Sequence, residues 1–409
     1  MTHVSPARFH AAHEATASAV VPGLHIIIPP APEMRAVVVI PVKDEADNLP
    51  QTLAALAAQL DLCGQPLSPR FFEVIVLANN CQDHSAAVAR RFAQLHPALP
   101  IHVVEITLPP TEAHIGRARR LLMDEACRRL ELITSADGFI ASTDGDTRVA
   151  ADWLAATHAE LTAHRAAAVC GRILTPARDK QCVVRRYHLR DASYRLLRAR
   201  LEAELDPNSA DPWPRHHQHF GASFAITAVA YRRVGGLPVV PYLEDEALYR
   251  ALQRHDLRVR HSPAVRVFTS DRHEGRVAVG LSWQLREWAA LGAKQQEPLV
   301  ASTPSLVATL TARRQLRRLW QQAQLTGAAD VISDEQNRAL GQLADFLGVS
   351  AVPLSLQLRQ AAFFGELWEW AEQEPLANAA WTQRWCPVPL SQGLHELRQE
   401  LAASARMVF

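Results

Sequence analysis

The chain has 409 residues, 48% of them hydrophobic, enough for a large core and for more than one domain. Lys+Arg 43 against Asp+Glu 42 leaves a formal net charge of +1, so no global field recruits nucleic acid or an anionic membrane and any anion affinity is local. Six scattered cysteines without a C-x-x-C argue against structural zinc or a disulfide scaffold, no apolar run approaches the ~18 residues that span a bilayer, and the N-terminus lacks a signal-peptide pattern; a soluble cytoplasmic protein is expected, with peripheral attachment left open.

Residues 1–33 read as a tail or an edge segment, because the apolar run Leu24 to Ile28 breaks on Pro29-Pro30 and Pro32. Val37-Val38-Val39-Ile40 is a continuous β-branched run ending at Pro41, as in a strand buried on both faces. Asn48 can cap a helix from about Pro50, with Leu53, Leu56 and Leu60 on one face. Val74 to Leu77 is a second buried strand, followed by a polar turn and a helix through His96. Ile101 to Ile106 is a third strand, Arg117 to Leu132 a helix, and Phe139-Ile140 opens a fourth strand. This alternation predicts an α/β fold with a mostly parallel sheet flanked by helices. Beyond about Leu291, Arg313 to Gln324, Asp334 to Leu347 and Phe363 to Gln373 read as helices, and the stripe Phe364, Leu367, Trp368 reads as core packing. The expected domains are thus 1–33, 34–290 and a helical 291–409, whose role as dimer contact, acceptor platform or membrane-surface contact stays open. No internal repeat or low-complexity tract interrupts them.

Ligands of such sheets bind beyond the carboxyl ends of the strands. Lys43-Asp44-Glu45, Asn79-Asn80-Asp83 and Asp144-Gly145-Asp146 each follow a strand directly, so they should converge on one edge. Asp144 and Asp146 can share a divalent cation, Mg²⁺ or Mn²⁺, that also binds a diphosphate; a solvated turn carries the same residues. A calcium loop does not fit, since positions five, six and twelve from Asp144 are Arg148, Val149 and Ala155. Gly116 and Arg119 open a basic helix whose N-terminus can cradle a diphosphate, unless it is only an exposed basic face. Asp245, between Glu244 and Glu246, is a candidate general base; acids in a first helical turn also simply meet the helix dipole. His216, His217 and His219 read as polar loop residues more readily than as a metal site, and Gly221-Ala222-Ser223 is small enough to floor an acceptor site. His261 and His273 are weaker candidates for a third metal ligand.

Taken in order, Val39-Ile40-Pro41-Val42-Lys43-Asp44-Glu45, Ala78-Asn79-Asn80-Cys81-Gln82-Asp83-His84-Ser85, Gly116-Arg117-Ala118-Arg119, Ser142-Thr143-Asp144-Gly145-Asp146, Tyr231-Arg232-Arg233-Val234-Gly235-Gly236 and Leu243-Glu244-Asp245-Glu246 resemble a glycosyltransferase family 2 enzyme of the GT-A fold, over roughly Val37 to Trp283. The resemblance implies a metal-dependent transfer of sugar from a nucleotide-diphosphate sugar, UDP-sugar first among donors, to an acceptor hydroxyl, with inversion. It implies that Pro41, Lys43, Glu45, Asn79, Asn80, Asp83 and Asp144 line the nucleotide, with Asp83 on the base edge. Arg272 and Arg276 would cover the diphosphate, unless they belong to a plain surface loop, and Glu244 would join the acceptor site. The chain has Thr269-Ser270-Asp271-Arg272-His273-Glu274-Gly275-Arg276 where membrane synthases of the family carry Q-x-x-R-W, which argues against a processive polysaccharide synthase. A retaining enzyme and a non-catalytic sugar-nucleotide scaffold are the rival readings. A Rossmann dehydrogenase is disfavoured, because no G-x-G-x-x-G follows the first strand.

Overall fold

The structure, a computed structural model, describes residues 23–133, 137–176, 182–270, 280–325, 334–374 and 379–406. The β-branched run forms β1 (Ala36–Val42), followed by α1 (Leu49–Ala57), β2 (Phe72–Asn79), α2 (Ser85–Leu95), β3 (Ile101–Ile106), α3 (Ile115–Leu132) and β4 (Phe139–Ser142). Then come β5 (Thr147–Val149), α4 (Trp153–Ala163), β6 (Ala168–Leu174), α5 (Val183–Leu205), β7 (Phe224–Thr227), α6 (Ala228–Arg233), α7 (Glu244–Arg254) and β8 (Val259–Thr269). The eight strands form one sheet in the order β3-β2-β1-β4-β7-β6-β8-β5. Its first half is parallel, whereas β7 runs antiparallel to both β4 and β6, and β5 to β8.

Alternation of side chains along each strand explains why the central strands read as continuous apolar runs. Val37, Val39, Ile75, Leu77 and Ile140 face α3 in one core, with Leu121, Leu122 and Ala126. Val38, Ile40, Val74, Val76 and Ala141 face the opposite way, onto Leu53 and Leu56 of α1 and Trp153 and Leu154 of α4. Each Val, Leu or Ile side chain so removed from water contributes about 1.5–3 kcal/mol. The strand continues past the expected stop at Pro41. Pairing with β4 ends at Val39, so that side of β1 no longer needs a ladder donor.

Some boundaries differ from expectation. α1 ends at Ala57, so Leu60 is not on its apolar face. Asn48 stands at the N-cap without a side-chain cap bond, and its amide donates to Glu45 instead. Leu24 to Ile28 is not a sheet strand; Ile26 N–H donates to Glu125 at 2.9 Å and the Ile26 carbonyl accepts from Arg128, which ties the segment to α3. Residues 1–22 lie outside the described residues.

Beyond β8 come α8 (Leu281–Ala293), β9 (Leu299–Val300), α9 (Thr303–Leu325), α10 (Asp334–Leu347), α11 (Ala351–Gln360), α12 (Phe364–Gln373), α13 (Ala379–Arg384), β10 (Val388–Pro389) and α14 (Leu390–Arg406). Phe364 and Leu367 are buried in a core with Leu316, Leu343 and Leu354, and Trp368 packs against it. A further core joins Tyr194 and Leu201 of α5 to Leu306, Leu310, Leu394 and Leu397, so α5 packs directly on this helical region. Among the described residues, no single helix is long and apolar enough to cross a membrane.

Candidate active site

The carboxyl ends of β1, β2 and β4 are adjacent, and the loops that leave them are stitched together. Asp44, in a left-handed backbone conformation at φ 54°, accepts from the Gln82 N–H at 2.6 Å. Asp83 returns the contact, accepting from the Ala46 N–H at 2.9 Å and from the Ser85 hydroxyl at 2.5 Å. The Glu45 N–H donates to Ser85, and the Lys43 ammonium donates to the Asn80 carbonyl. The Asn79 Oδ1 and the Thr143 Oγ1 are buried without a hydrogen-bond partner, one at the end of β2 and one just after β4. Each suits a ligand or water partner, since burial without a bond is costly.

The Asp144-Gly145-Asp146 loop follows β4 and leans on both neighbouring elements. Thr52 of α1 donates to the Gly145 carbonyl at 3.0 Å. A Cβ on Gly145 would lie 3.1 Å from Glu45 Cγ, so the first loop and the acidic loop are in close contact. Asp144 accepts from Arg119 Nη2 at 2.9 Å, and Asp146 accepts from the Ser270 hydroxyl at 2.5 Å.

Arg119 is the hub. It is 4% exposed and donates to Asp144, to Glu244 at 2.9 Å, to the Ser142 hydroxyl and to the Gly221 carbonyl. It is expected at the diphosphate; in the structure its guanidinium joins the acidic loop to the start of α7. Gly116 makes a second link to the same segment. A Cβ there would lie 1.9 Å from the Val240 carbonyl oxygen, so glycine is needed for backbone contact with the segment leading into α7. Asn80, at φ 51°, spends both ends of its amide on Leu108 N–H and C=O, each at 2.9 Å, and so anchors the stretch before α3.

At the start of α7, Asp245 accepts from the Gly221 N–H at 2.8 Å and from the Glu246 N–H at 2.8 Å. A Cβ on Gly221 would lie 2.6 Å from the Arg119 guanidinium carbon. Ala222 and Ser223 are buried, and Ser223 accepts from the Trp153 indole at 3.1 Å, which points its hydroxyl inward. Of the three acids, Glu244 is the buried one. Burial, aided by the Asp245 charge and opposed by Arg119, pushes its carboxyl up to about 7. Burial also raises the Asp144 carboxyl, with Asp146 and Asp245 adding to the rise and Arg119 opposing it. Glu246 goes the other way: although burial opposes ionisation, His219 at 2.6 Å and Arg250 at 2.7 Å hold it down to about 2.

The contacts therefore run without a break from Asp83 through Ala46, Glu45, Gly145, Asp144, Arg119 and Glu244 to Asp245 and Gly221. Pro41, Lys43 and Asn79 lie at the same strand ends. Arg272, Arg276 and His273 lie outside the described residues. His261 pairs with Asp211 at 2.8 Å, and His216 with the Ser262 carbonyl at 3.1 Å, both in a buried polar network beside the site. Burial pushes the His216 imidazole down to about 3 and that of His217 down to about 2, which keeps both neutral. Sequence reading missed Ser85, Thr52 and Ser270. Ser85 sits inside the Asn79-to-Ser85 motif and was within reach; Ser270 and Thr52 carry no local signal at all.

The donor set fits a hard divalent cation. Two carboxylates one residue apart supply oxygen ligands, a diphosphate and water can complete the shell, and the local excess of acid disfavours leaving the site uncompensated. The compact triple Asp44, Cys81 and Asp83 fits less well, because the Lys43 ammonium lies 3.8 Å from Asp44 and burial raises the Cys81 thiol.

No curated protein matches the chain. Among solved structures, TarS 1-349 of S. aureus in complex with UDP-GlcNAc is 14% identical, over 83% of this chain and 90% of that one, with a TM-score of 0.42. The mannosyltransferase PcManGT from Pyrobaculum calidifontis, in complex with GDP-Man and Mn²⁺, is 16% identical over 95% of this chain and 91% of that one, with a TM-score of 0.42. The model of glycosyl transferase family 2 matches residues 37–217, which span β1 to the loop before β7 and include both the acidic loop and Arg119. Over residues 37–217 the chain is therefore similar to glycosyl transferase family 2.

Proposed function

We propose that the protein transfers a sugar from a nucleotide-diphosphate sugar to an acceptor hydroxyl with inversion at the anomeric carbon, aided by a divalent cation. The observation that carries this reading is the unbroken run of contacts from Asp83 to Asp245, with Arg119 bridging Asp144 and Glu244. The nucleoside lies against the β1 and β2 loops, where Asp83, Glu45 and Asn79 present hydrogen-bonding groups. The sugar then points toward the start of α7 and Gly221.

The acceptor oxygen attacks the anomeric carbon as Asp245 takes its proton. The carbon–oxygen bond to the diphosphate breaks, and the electron pair leaves on the phosphate oxygen. Asp144 and Asp146 would hold Mg²⁺ or Mn²⁺, which supplies Lewis-acid neutralisation of the leaving diphosphate. Arg119 keeps Asp144 oriented and sets the distance between that loop and α7. Arg272 and Arg276 are assigned to the diphosphate by the family resemblance alone, and a UDP-sugar is the first donor to test on the same ground.

Thermal shift with UDP and GDP, each with and without Mn²⁺, tests the reading. Ligand at a hundredfold excess over its Kd stabilises the native state by about 2.7 kcal/mol, so one nucleotide should raise the melting temperature only when Mn²⁺ is present. Asp146→Ala should abolish that dependence on metal. A shift that Asp146→Ala leaves intact, or none with either nucleotide, overturns it.

A further inference from the structure

Helix α7 carries Glu244 and Asp245 at one end, and its other end is built into the C-terminal helical region. Three observations mark that junction as specific. First, α12 has no cap of its own, because Phe363 stands at its N-cap position. Asp256, just beyond α7 and at φ 50°, supplies the cap from across the interface, accepting from the Phe364 N–H at 2.6 Å and the Gly365 N–H at 2.9 Å. Second, a Cβ on Gly365 would lie 1.9 Å from the Gln253 carbonyl oxygen, so the two backbones touch at a place where only glycine fits. Third, Arg254 forms a two-pronged pair with Glu369, at 2.6 and 2.9 Å.

The helical region is in turn fastened to the rest of the fold. Arg317 lies 4.6 Å from the Phe364 ring centre and donates to Asp206, while Arg313 donates to Asp206 and to Glu202 of α5 at 2.5 Å. The far end of α7 is therefore held on both sides. α7 has 11 residues and so is a stiff rod of ~16 Å. At its near end, Arg119, His219 and the Gly221 N–H contact the acids, and Leu248 and Leu252 seat the helix in the sheet core.

We propose that the C-terminal helical region positions the catalytic acids by clamping the opposite end of α7, with Arg254, Asp256, Gly365 and Glu369 as positioning residues. The inference rests on the transferase reading for its catalytic consequence, but not for its structural one. A loosened clamp lets α7 tilt or slide, and Asp245 then misses the acceptor oxygen while the nucleotide loops at β1, β2 and β4 stay in place. Misplacement of a catalytic group by about 1 Å is enough to lower turnover by about 10²-fold.

Hydrogen exchange by mass spectrometry on the full chain tests this, with Glu369→Arg, Arg254→Glu and the double reversal. Each single change should speed exchange several-fold at residues 243–248 and at Gly221, and the double reversal should restore protection. Glu369→Gln, a milder change, should show the same pattern if a reversal fails to fold. Affinity for UDP or GDP with Mn²⁺ should be unchanged while kcat falls and donor KM holds. Faster exchange confined to residues 253–257 and 363–374, with 243–248 unaltered, would overturn the clamp even if no nucleotide binds. Normal exchange at 243–248 in every variant would do the same.

Discussion

Helix α3 buries an arginine near each end, and the two have opposite surroundings. Arg129, 0% exposed, forks onto Glu73, with His102 on the same carboxylate at 3.3 Å, and its remaining N–H groups reach the Ile26 and Ile28 carbonyls. One acid faces two nitrogen bases. Although burial works against it, the Glu73 carboxyl is held below its usual range by Arg129 and His102. Arg119 is one cation shared between Glu244 and Asp144, with Asp146 and Asp245 adding to the negative charge around it. There burial prevails and both partner carboxyls are raised. The same residue on the same helix thus closes a balanced ion cluster at one end and leaves an acid excess at the other. A balanced cluster is finished when the chain folds. An acid excess in a cleft stores negative potential that only a ligand can compensate, which is where functional sites arise.

The sharpest way to break the comparison is to mutate the unbalanced end. Asp245→Asn should lower turnover by about 10²–10⁴-fold, the range for a general base, without lowering urea stability. Near-normal turnover would remove the base, and analysis of the product anomer would then test for retention. Arg129→Met makes the complementary change. It leaves Glu73 buried without its main partner and should cost about 3–5 kcal/mol in urea denaturation, with metal-dependent nucleotide affinity retained. Loss of affinity at unchanged stability would mean that the two ends are not separate.

The smallest effect is a pH slope. Because Glu244 holds its proton up to about 7 in the folded state, its contribution is fully present below its unfolded value and is lost as pH rises through 7. Wild-type stability minus that of Glu244→Gln should therefore fall between about pH 4.5 and 7, by on the order of 1.4 kcal/mol per pH unit where the folded state alone keeps the proton. Glu73→Gln should show the reverse slope, since a lowered carboxyl contributes above its unfolded value and loses that as pH falls. Urea unfolding from pH 4 to 8 without divalent metal reads both. Parallel slopes would contradict the assigned difference between the two ends.

Much of the sheet was legible because it is built from local patterns. Val37 to Ile40 and Val74 to Leu77 advertise strands buried on both faces, and Asp334 to Leu347 is helical over the range its periodicity predicts. Other helices were not. α5 lacks an apolar stripe, because its buried face is divided between Tyr194, Leu201 and the ion pair of Glu202 with Arg313, and no periodicity survives. Among site residues, the acidic loop and the Glu244-Asp245-Glu246 triplet stand out by composition. The duties of Gly116, Asn80 and Arg119 do not. Each is occupied by a partner far along the chain, Val240 backbone, Leu108 backbone and Glu244, and nothing local encodes those meetings.

Strand burial and turn chemistry are written in neighbouring residues, so the parallel-stranded α/β core, and the acids and amides that follow its strands, can be read from the chain alone. Which of those acids share a counter-charge emerges only on folding. That depends on burial and on distances between segments that sequence order does not contain, and so one arginine of α3 became part of the framework and the other part of the site.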